Sequence, residues 1–265
     1  MIARIVAAKR EQWGSGDGPL PPAGQRPRPA REGRFASALT QSDIAIIAEV
    51  KPRSPAKGDL WPVEKAVPLA KTYEANGARA ISVLANEPFF GGSPDLVAQA
   101  ARAVEIPVLY KDFVVDPREV ELAHACGADG VLVVVRSVDD SELADIVATA
   151  RGLGLDPLVE AFDEAEIERA VRVGATIIGI NNRDLNTFTV DVDRAARLRS
   201  LIPDGVVSVA ESGLRDRSDV ERAAGDGFDS ALIGETLLRS EDPGSALRSL
   251  TGVPARRRVA PGKHA

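Results

Sequence analysis

Five apolar runs in this chain stop on polar residues that can move protons or bind anions. They are Ile44–Lys51 (IAIIAEVK), Pro107–Asp112 (PVLYKD), Pro157–Ala161 (PLVEA), Thr176–Asp184 (TIIGINNRD) and Val206–Gly213 (VVSVAESG). A buried strand gains nothing structurally from a lysine or glutamate at its end, because an unpaired buried charge is costly. Five such ends imply convergence on one solvent-accessible site. That is the arrangement of parallel-sheet enzymes, whose working groups sit at the carboxyl ends of strands.

Glu49 and Lys51 are two apart, so in a strand both side chains share one face and Val50 takes the other. Together they present a carboxylate and a cation to a substrate, or else form a simple ion pair closing the end of the sheet. Lys111 shares a face with Leu109, while Asp112 is expected to point away and cap the following turn. Lys111 reads as an anion clamp, as a general acid if burial or Lys51 lowers its pKa, or as a snorkelling surface lysine. Glu160, Asn181 and Glu211 end three further runs and add two carboxylates and an amide. Either glutamate is alternatively a structural partner for a lysine or for Arg183. Only two histidines exist, His124 and His264, and neither ends an apolar run. A Ser-His-Asp triad and a His-based metal site are therefore not expected, and acid–base work falls to Lys, Glu and Asp.

These residues need a scaffold, and the chain supplies a regular one. Apolar runs recur near 44–50, 80–84, 107–110, 130–135, 157–161, 176–181, 206–210 and 230–233, with helical patterns between most of them. Asp116-Pro117-Arg118-Glu119 offers an N-cap, a proline at N1 and a glutamate at N3. Asp163-Glu164-Ala165-Glu166 is a second such start, and Gly174 ends that helix. Eight strand-like runs, each followed by room for a helix, predict a single (β/α)8 barrel in the α/β class. A doubly wound open sheet competes, but no Gly-rich phosphate loop follows the first strand. The turns Ser212-Gly213 and Gly234-Glu235-Thr236 then fall after strands 7 and 8, where such barrels often bind phosphate. Ser54 could add a hydroxyl to the same phosphate. Phe89-Phe90, beside a Gly-Gly turn, would wall an aromatic pocket or pack the rim, with Glu87 facing the site.

The predicted barrel spans residues 41–252. Residues 1–40 form an N-terminal helix and a Pro/Gly-rich flexible segment centred on 14–34, and 253–265 a basic flexible tail. The 265 residues carry 33 Lys and Arg against 39 Asp and Glu, a net charge of −6, which argues against nucleic acid or an anionic membrane as the main partner. The single cysteine, Cys126, permits no internal disulfide, and it reads as a small buried residue in a helix. With no apolar run near membrane length and no signal-peptide core, a cytoplasmic protein is expected.

Several segments carry a resemblance. IAEVKPRSPAKG (47–58), SVLANEPFFGGS (82–93), PVLYKDFVVDP (107–117), LVEAFDEAEIERA (158–170), GATIIGINNRDLNTF (174–188), VAESGL (209–214) and IGETLLRSEDPG (233–244) resemble the indole-3-glycerol phosphate synthase family of tryptophan biosynthesis. The resemblance covers about residues 35–250. It implies ring closure, decarboxylation and dehydration of 1-(2-carboxyphenylamino)-1-deoxyribulose 5-phosphate, with no cofactor and no metal. By this resemblance Lys111 is the general acid, Lys51 binds the substrate carboxylate and assists dehydration, and Glu160 transfers a proton at that step. Glu49, Asn181 and Glu211 orient the lysines and substrate hydroxyls. Ser54, Ser212, Gly213, Gly234 and the Glu235 backbone hold the phosphate, with Arg183 near it, and the aryl group lies against Phe89, with Glu87 alongside.

There are departures from the family's pattern. Residues 14–34 stand where the family continues its N-terminal helical cap, and Ala161-Phe162 replaces a more usual Val-His pair after Glu160. Three other readings compete. A phosphoribosylanthranilate isomerase would need a Cys–Asp pair, and Cys126 is misplaced for it. A catalytically silent phosphate-sugar-binding barrel would not need these side chains. Nucleic-acid binding would rest on the short tail around Arg256–Arg258 alone. The expected partner is a small phosphorylated substrate, and the expected assembly a monomer or weak homodimer.

Overall fold

The structure, a computed structural model, describes residues 1–16, 18–19, 32–184 and 187–256. Eight parallel strands close into a barrel: β1 (Ala45–Val50), β2 (Ala80–Leu84), β3 (Val108–Lys111), β4 (Gly130–Val134), β5 (Asp156–Ala161), β6 (Ile177–Asn181), β7 (Val207–Glu211) and β8 (Ser230–Ile233). Each strand pairs with its sequence neighbours, and β1 joins β8 with Ala45 opposite Ser230. All eight lie within a residue or two of the apolar runs that predicted them.

Strand parity divides the core in two. Ala45, Ile47, Leu109, Leu132, Leu158, Val209 and Leu232 fill the barrel interior. Ile46, Ala48, Val50, Tyr110, Val133 and Val159 face outward under the helices. Being buried on both faces, the strands read as continuous apolar runs. The helices after the strands begin on side-chain caps: Ser93, Asp116, Asp139, Asp163, Asp216 and Asp242 each accept a first-turn backbone N–H. Gly174, at φ +72°, follows the helix Glu164–Arg172, a conformation that costs glycine nothing.

Among the described residues, two helices precede the barrel and both belong to its packing. Helix α1 (Ile2–Gly14) lies over the ends of β3 and β4 and buries Ile2 and Ile5 in the same cluster as Phe113 and Phe162. Helix α2 (Arg34–Leu39) closes the opposite end: Phe35 and Leu39 are fully buried, and the Asp156 carboxylate accepts the Ala36 N–H at 3.0 Å. The Pro/Gly-rich stretch expected to be flexible lies mostly outside the described residues, as does the tail from 257. Residues 253–255, expected to begin that tail, instead run beside 42–44. Val253 is buried, its carbonyl accepts the Ile44 N–H at 2.8 Å, and Ala255 N–H donates to the Ser42 carbonyl at 3.0 Å. Among the described residues, no helix is long and apolar enough to cross a membrane.

Candidate active site at the barrel mouth

A cavity of about 570 Å³ opens at the carboxyl ends of the strands. Glu49, in the last turn of β1, is its electrostatic centre. Lys51 contacts one carboxylate oxygen, and Lys111, from the end of β3, lies 3.0 Å from the other. Lys111 is also 3.6 Å from Glu211 at the end of β7. One buried carboxylate thus bridges two lysines brought from different strands. Glu160 and Asn181 line the same wall from β5 and β6, and the Asn181 side-chain oxygen accepts the Arg183 N–H at 2.9 Å.

Burial alone would neutralise these groups, but the charge pattern sorts them. For Glu49, burial pushes the carboxyl up, and Lys111 and Lys51 outweigh it and hold it at about 2. For Lys111, burial would lower the ammonium, but Glu49, Glu211 and Glu160 together raise it instead. The expectation that burial or Lys51 would lower Lys111 is therefore reversed, because three carboxylates surround it. Glu211 goes the other way: burial, and then Glu160 beside it, push its carboxyl well up. Lys111, 3.6 Å away, is the cation beside it and does not outweigh that burial. The charge pattern thus favours the ionised form of Glu49, the charged form of Lys111 and the neutral form of Glu211.

Two glycines make room for this cluster. A Cβ on Gly234 would collide with the Glu49 carboxylate, and one on Gly179, in the middle of β6, would collide with that of Glu211. The sequence signal for Gly179 was a lone glycine inside a strand, which marks close approach. Across the cavity, Ser212 and Gly213 both have positive φ, +65° and +85°. Serine rarely adopts that conformation, so this turn is strained. The Glu235 side chain lies between Arg183 and Arg239, 3.1 Å from each, which leaves its charge compensated. Ser54 and Lys57 approach from a short hairpin, Arg53–Ser54 against Gly58–Asp59.

Three sequence-derived candidates do not reach the cavity surface. Glu211 lies behind it, against Lys111 and Gly179. Glu87 is exposed to solvent on the one-turn helix Glu87–Phe90. Phe89 sits with Arg4 of α1, whose guanidinium is 5.9 Å from its ring. Phe90 takes the wall position instead, stacked 6.3 Å from Phe113. A Phe-Phe pair could not reveal which ring turns inward, since one helical step decides it. Arg215 and Arg239 also line the cavity and were not picked out, because arginines after a strand look like ordinary surface.

Asp112, expected to cap the following turn, accepts the Phe113 N–H at 2.7 Å as such a cap does. It is buried and also binds Lys9 of α1 at 2.6 Å and the Asn86 amide at 2.9 Å. Phe162, the departure after Glu160, packs away from the cavity under the Arg136 guanidinium, 3.9 Å from its ring centre. Cys126 is buried, and burial pushes its thiol up to about 12, so it is no nucleophile. Among the described residues, no three His, Cys, Asp or Glu side chains are grouped to hold a metal ion.

The family model described as indole-3-glycerol phosphate synthase matches residues 6–250. An indole-3-glycerol phosphate synthase 2 of Streptomyces coelicolor is 45% identical over 224 residues, covering 84% of this chain and 86% of that protein. An indole-3-glycerol phosphate synthase of Desulfotalea psychrophila is 40% identical over 255 residues, covering 94% and 98%. Among solved structures, 3-hexulose-6-phosphate synthase from Salmonella typhimurium superposes with a TM-score of 0.65 at 15% identity, covering 78% of this chain and 96% of that one. At that identity the likeness is one of fold.

Proposed function

The chain belongs to the indole-3-glycerol phosphate synthase family, and we propose how the groups at its mouth divide the work of that reaction. The enzyme, a carboxy-lyase, converts 1-(2-carboxyphenylamino)-1-deoxyribulose 5-phosphate into indole-3-glycerol phosphate, carbon dioxide and water. The ring carbon bearing the carboxylate attacks the ketone carbon, and Lys111 protonates the oxygen as the carbonyl opens. An alkoxide is a stronger base than an amine, so a lysine held charged by Glu49 still gives up its proton. The carbon–carboxylate bond then breaks and its electrons restore the aromatic ring. Loss of the new hydroxyl needs one proton delivered to it and one removed from the closed ring, which is the task of Lys51 with Glu160.

Lys51 at the cavity edge also meets the substrate carboxylate, an anion it can pair with when Glu49 is shared with Lys111. Glu211 acts on Lys111 from behind rather than on substrate hydroxyls. Asn181 sets the wall beside Glu160. The phosphate lies toward Ser54, Ser212, Gly213, Gly234 and the Glu235 backbone, with Arg183 oriented by the Glu235 side chain. The aryl ring lies against Phe90, Leu132 and Val134. The reaction's charged intermediates fit a cytoplasmic enzyme. All proposed groups come from one chain, so a monomer suffices.

The observation that carries this reading is Glu49 bridging Lys51 and Lys111 on the wall of one cavity. The test is direct: incubate the protein with the carboxyphenylamino-deoxyribulose phosphate and follow indole fluorescence. Steady product formation is expected. No signal at high enzyme concentration would favour a barrel that binds the sugar phosphate without turnover.

A further inference from the structure

The described residues contain one other buried charge cluster next to the mouth, and no step above uses it. Lys9, on helix α1, is 5% exposed and is held between Asp112, at 2.6 Å, and Glu119. Glu119 is fully buried at the start of the helix Pro117–Ala125, where its other oxygen accepts the Val115 N–H at 2.8 Å. It was expected to serve as a capping-box residue and has instead turned inward to meet Lys9.

Asp112 is the next residue after Lys111. Its second oxygen accepts from the Asn86 amide at 2.9 Å and the Phe113 N–H at 2.7 Å. The Asn86 side-chain oxygen in turn accepts the Phe89 N–H at 3.1 Å, capping the one-turn helix that presents Phe90 to the cavity. A continuous path therefore runs from Lys9 through Asp112 to two parts of the mouth. One branch is the backbone beside Lys111; the other is the Phe90–Phe113 wall.

We propose that Lys9 is a positioning residue for the synthase reaction, fixing Asp112 and through it both Lys111 and the aromatic wall that receives the substrate's ring. Lys9 does not line the cavity and touches no reacting atom. Its chemistry suits the task. An ammonium shared by two carboxylates in low dielectric has few alternative positions, so the Asp112 side chain is fixed more firmly than a solvated residue would be. It also ties the N-terminal helix to the site it covers. The inference rests on reading the mouth as a synthase site.

Lys9→Met alone would leave two acids buried side by side and could fail to fold. The decisive pair is therefore Glu119→Gln and the double variant Lys9→Met/Glu119→Gln, which removes one charge of each sign. Melting temperature, kcat and KM are measured for both and for Lys9→Arg. Glu119→Gln keeps the Lys9–Asp112 pair and is expected to retain kcat/KM within about threefold of wild type. The double variant leaves the buried Asp112 carboxylate without its cation, so it is expected to melt below Glu119→Gln while staying folded at the assay temperature. Its kcat/KM should be about 100-fold lower, the loss that misplacement by about 1 Å can produce, with kcat falling and KM rising together. Lys9→Arg, which keeps the charge and the reach, is expected to recover at least tenfold of that loss.

Equal kcat/KM in the double variant and Glu119→Gln would overturn the proposal. So would a loss fully matched by a fall in folded fraction at the assay temperature, since that is a stability role only. Wild-type protein that does not turn over the substrate overturns the synthase reading itself. An active wild type with an equally active double variant overturns only the role of Lys9.

Discussion

Both ends of the barrel bury acids, and the floor acids and the Glu49–Glu211 pair at the mouth are used in opposite ways. At the closed end, each carboxylate is matched to donors that the backbone would otherwise leave unpaired. Asp129 accepts the Val108 N–H at 3.0 Å and pairs with Arg34, Asp156 accepts the Ala36 N–H, and Asp229 accepts both the N–H and the hydroxyl of Ser208 at 2.9 and 2.8 Å. At the mouth, Glu49 is shared between two lysines and Glu211 is crowded between Glu160 and Lys111. Among the described residues, the two non-glycine residues with positive φ, Phe188 and Ser212, also line the mouth. The floor acids are consumed by folding, while Glu49 and Glu211 at the mouth are held in costly surroundings that a reaction would justify.

That contrast predicts that mutations at the two ends separate activity from stability. The largest effect belongs to Lys111→Ala. General acid catalysis contributes about 10²–10⁴-fold, so kcat should fall by at least about 10². The far-UV circular dichroism spectrum should stay that of the wild-type barrel, because Lys51 still pairs with Glu49. Activity within about tenfold of wild type would remove Lys111 from the chemistry. The mirror experiment is Asp229→Ala at the floor. It strips a charged acceptor from the Ser208 N–H and hydroxyl, both fully buried. Losing hydrogen bonds to a charged group and orphaning the donors should cost about 2–4 kcal/mol, read by urea unfolding, with kcat changed less than about twofold. A large loss of kcat in this variant, with stability intact, would erase the division between the ends.

The strands and the order of the mouth residues were legible in the sequence, because each rests on local signals. Apolar runs of strand length placed all eight strands, and parity put Glu49 and Lys51 on one face with Val50 opposite. What could not be read was anything fixed by long-range packing. The ring that faces the cavity is Phe90 and not Phe89, which depends on a one-turn helix capped by Asn86. The direction of the Lys111 shift depends on Glu49, Glu160 and Glu211, which arrive from three other strands. The partner of Asp112 is Lys9, 103 residues away in the N-terminal helix, outside the predicted barrel. Roles for the site residues came from family resemblance, whereas their positions came from strand ends.

The smallest effect tests whether strain really sits at the mouth. Ser212 has φ +65°, which costs a residue with a Cβ about 1–3 kcal/mol. Replacing it with glycine relieves that strain but adds back about 0.5–1 kcal/mol of unfolded-state freedom, so Ser212→Gly should be more stable than wild type by up to about 2.5 kcal/mol. Ser212→Ala keeps the strain and loses only the hydroxyl. Both variants lack the group proposed to meet the phosphate, so both should raise KM by a similar few-fold factor. The comparison of glycine with alanine therefore cancels the chemistry and isolates the backbone. At an ordinary strand or helix position alanine is the more stable of the two; here the order should invert, as read by thermal melting. Alanine equal to or above glycine would mean that Ser212 carries no strain, and the mouth would then differ from the floor in its charges alone.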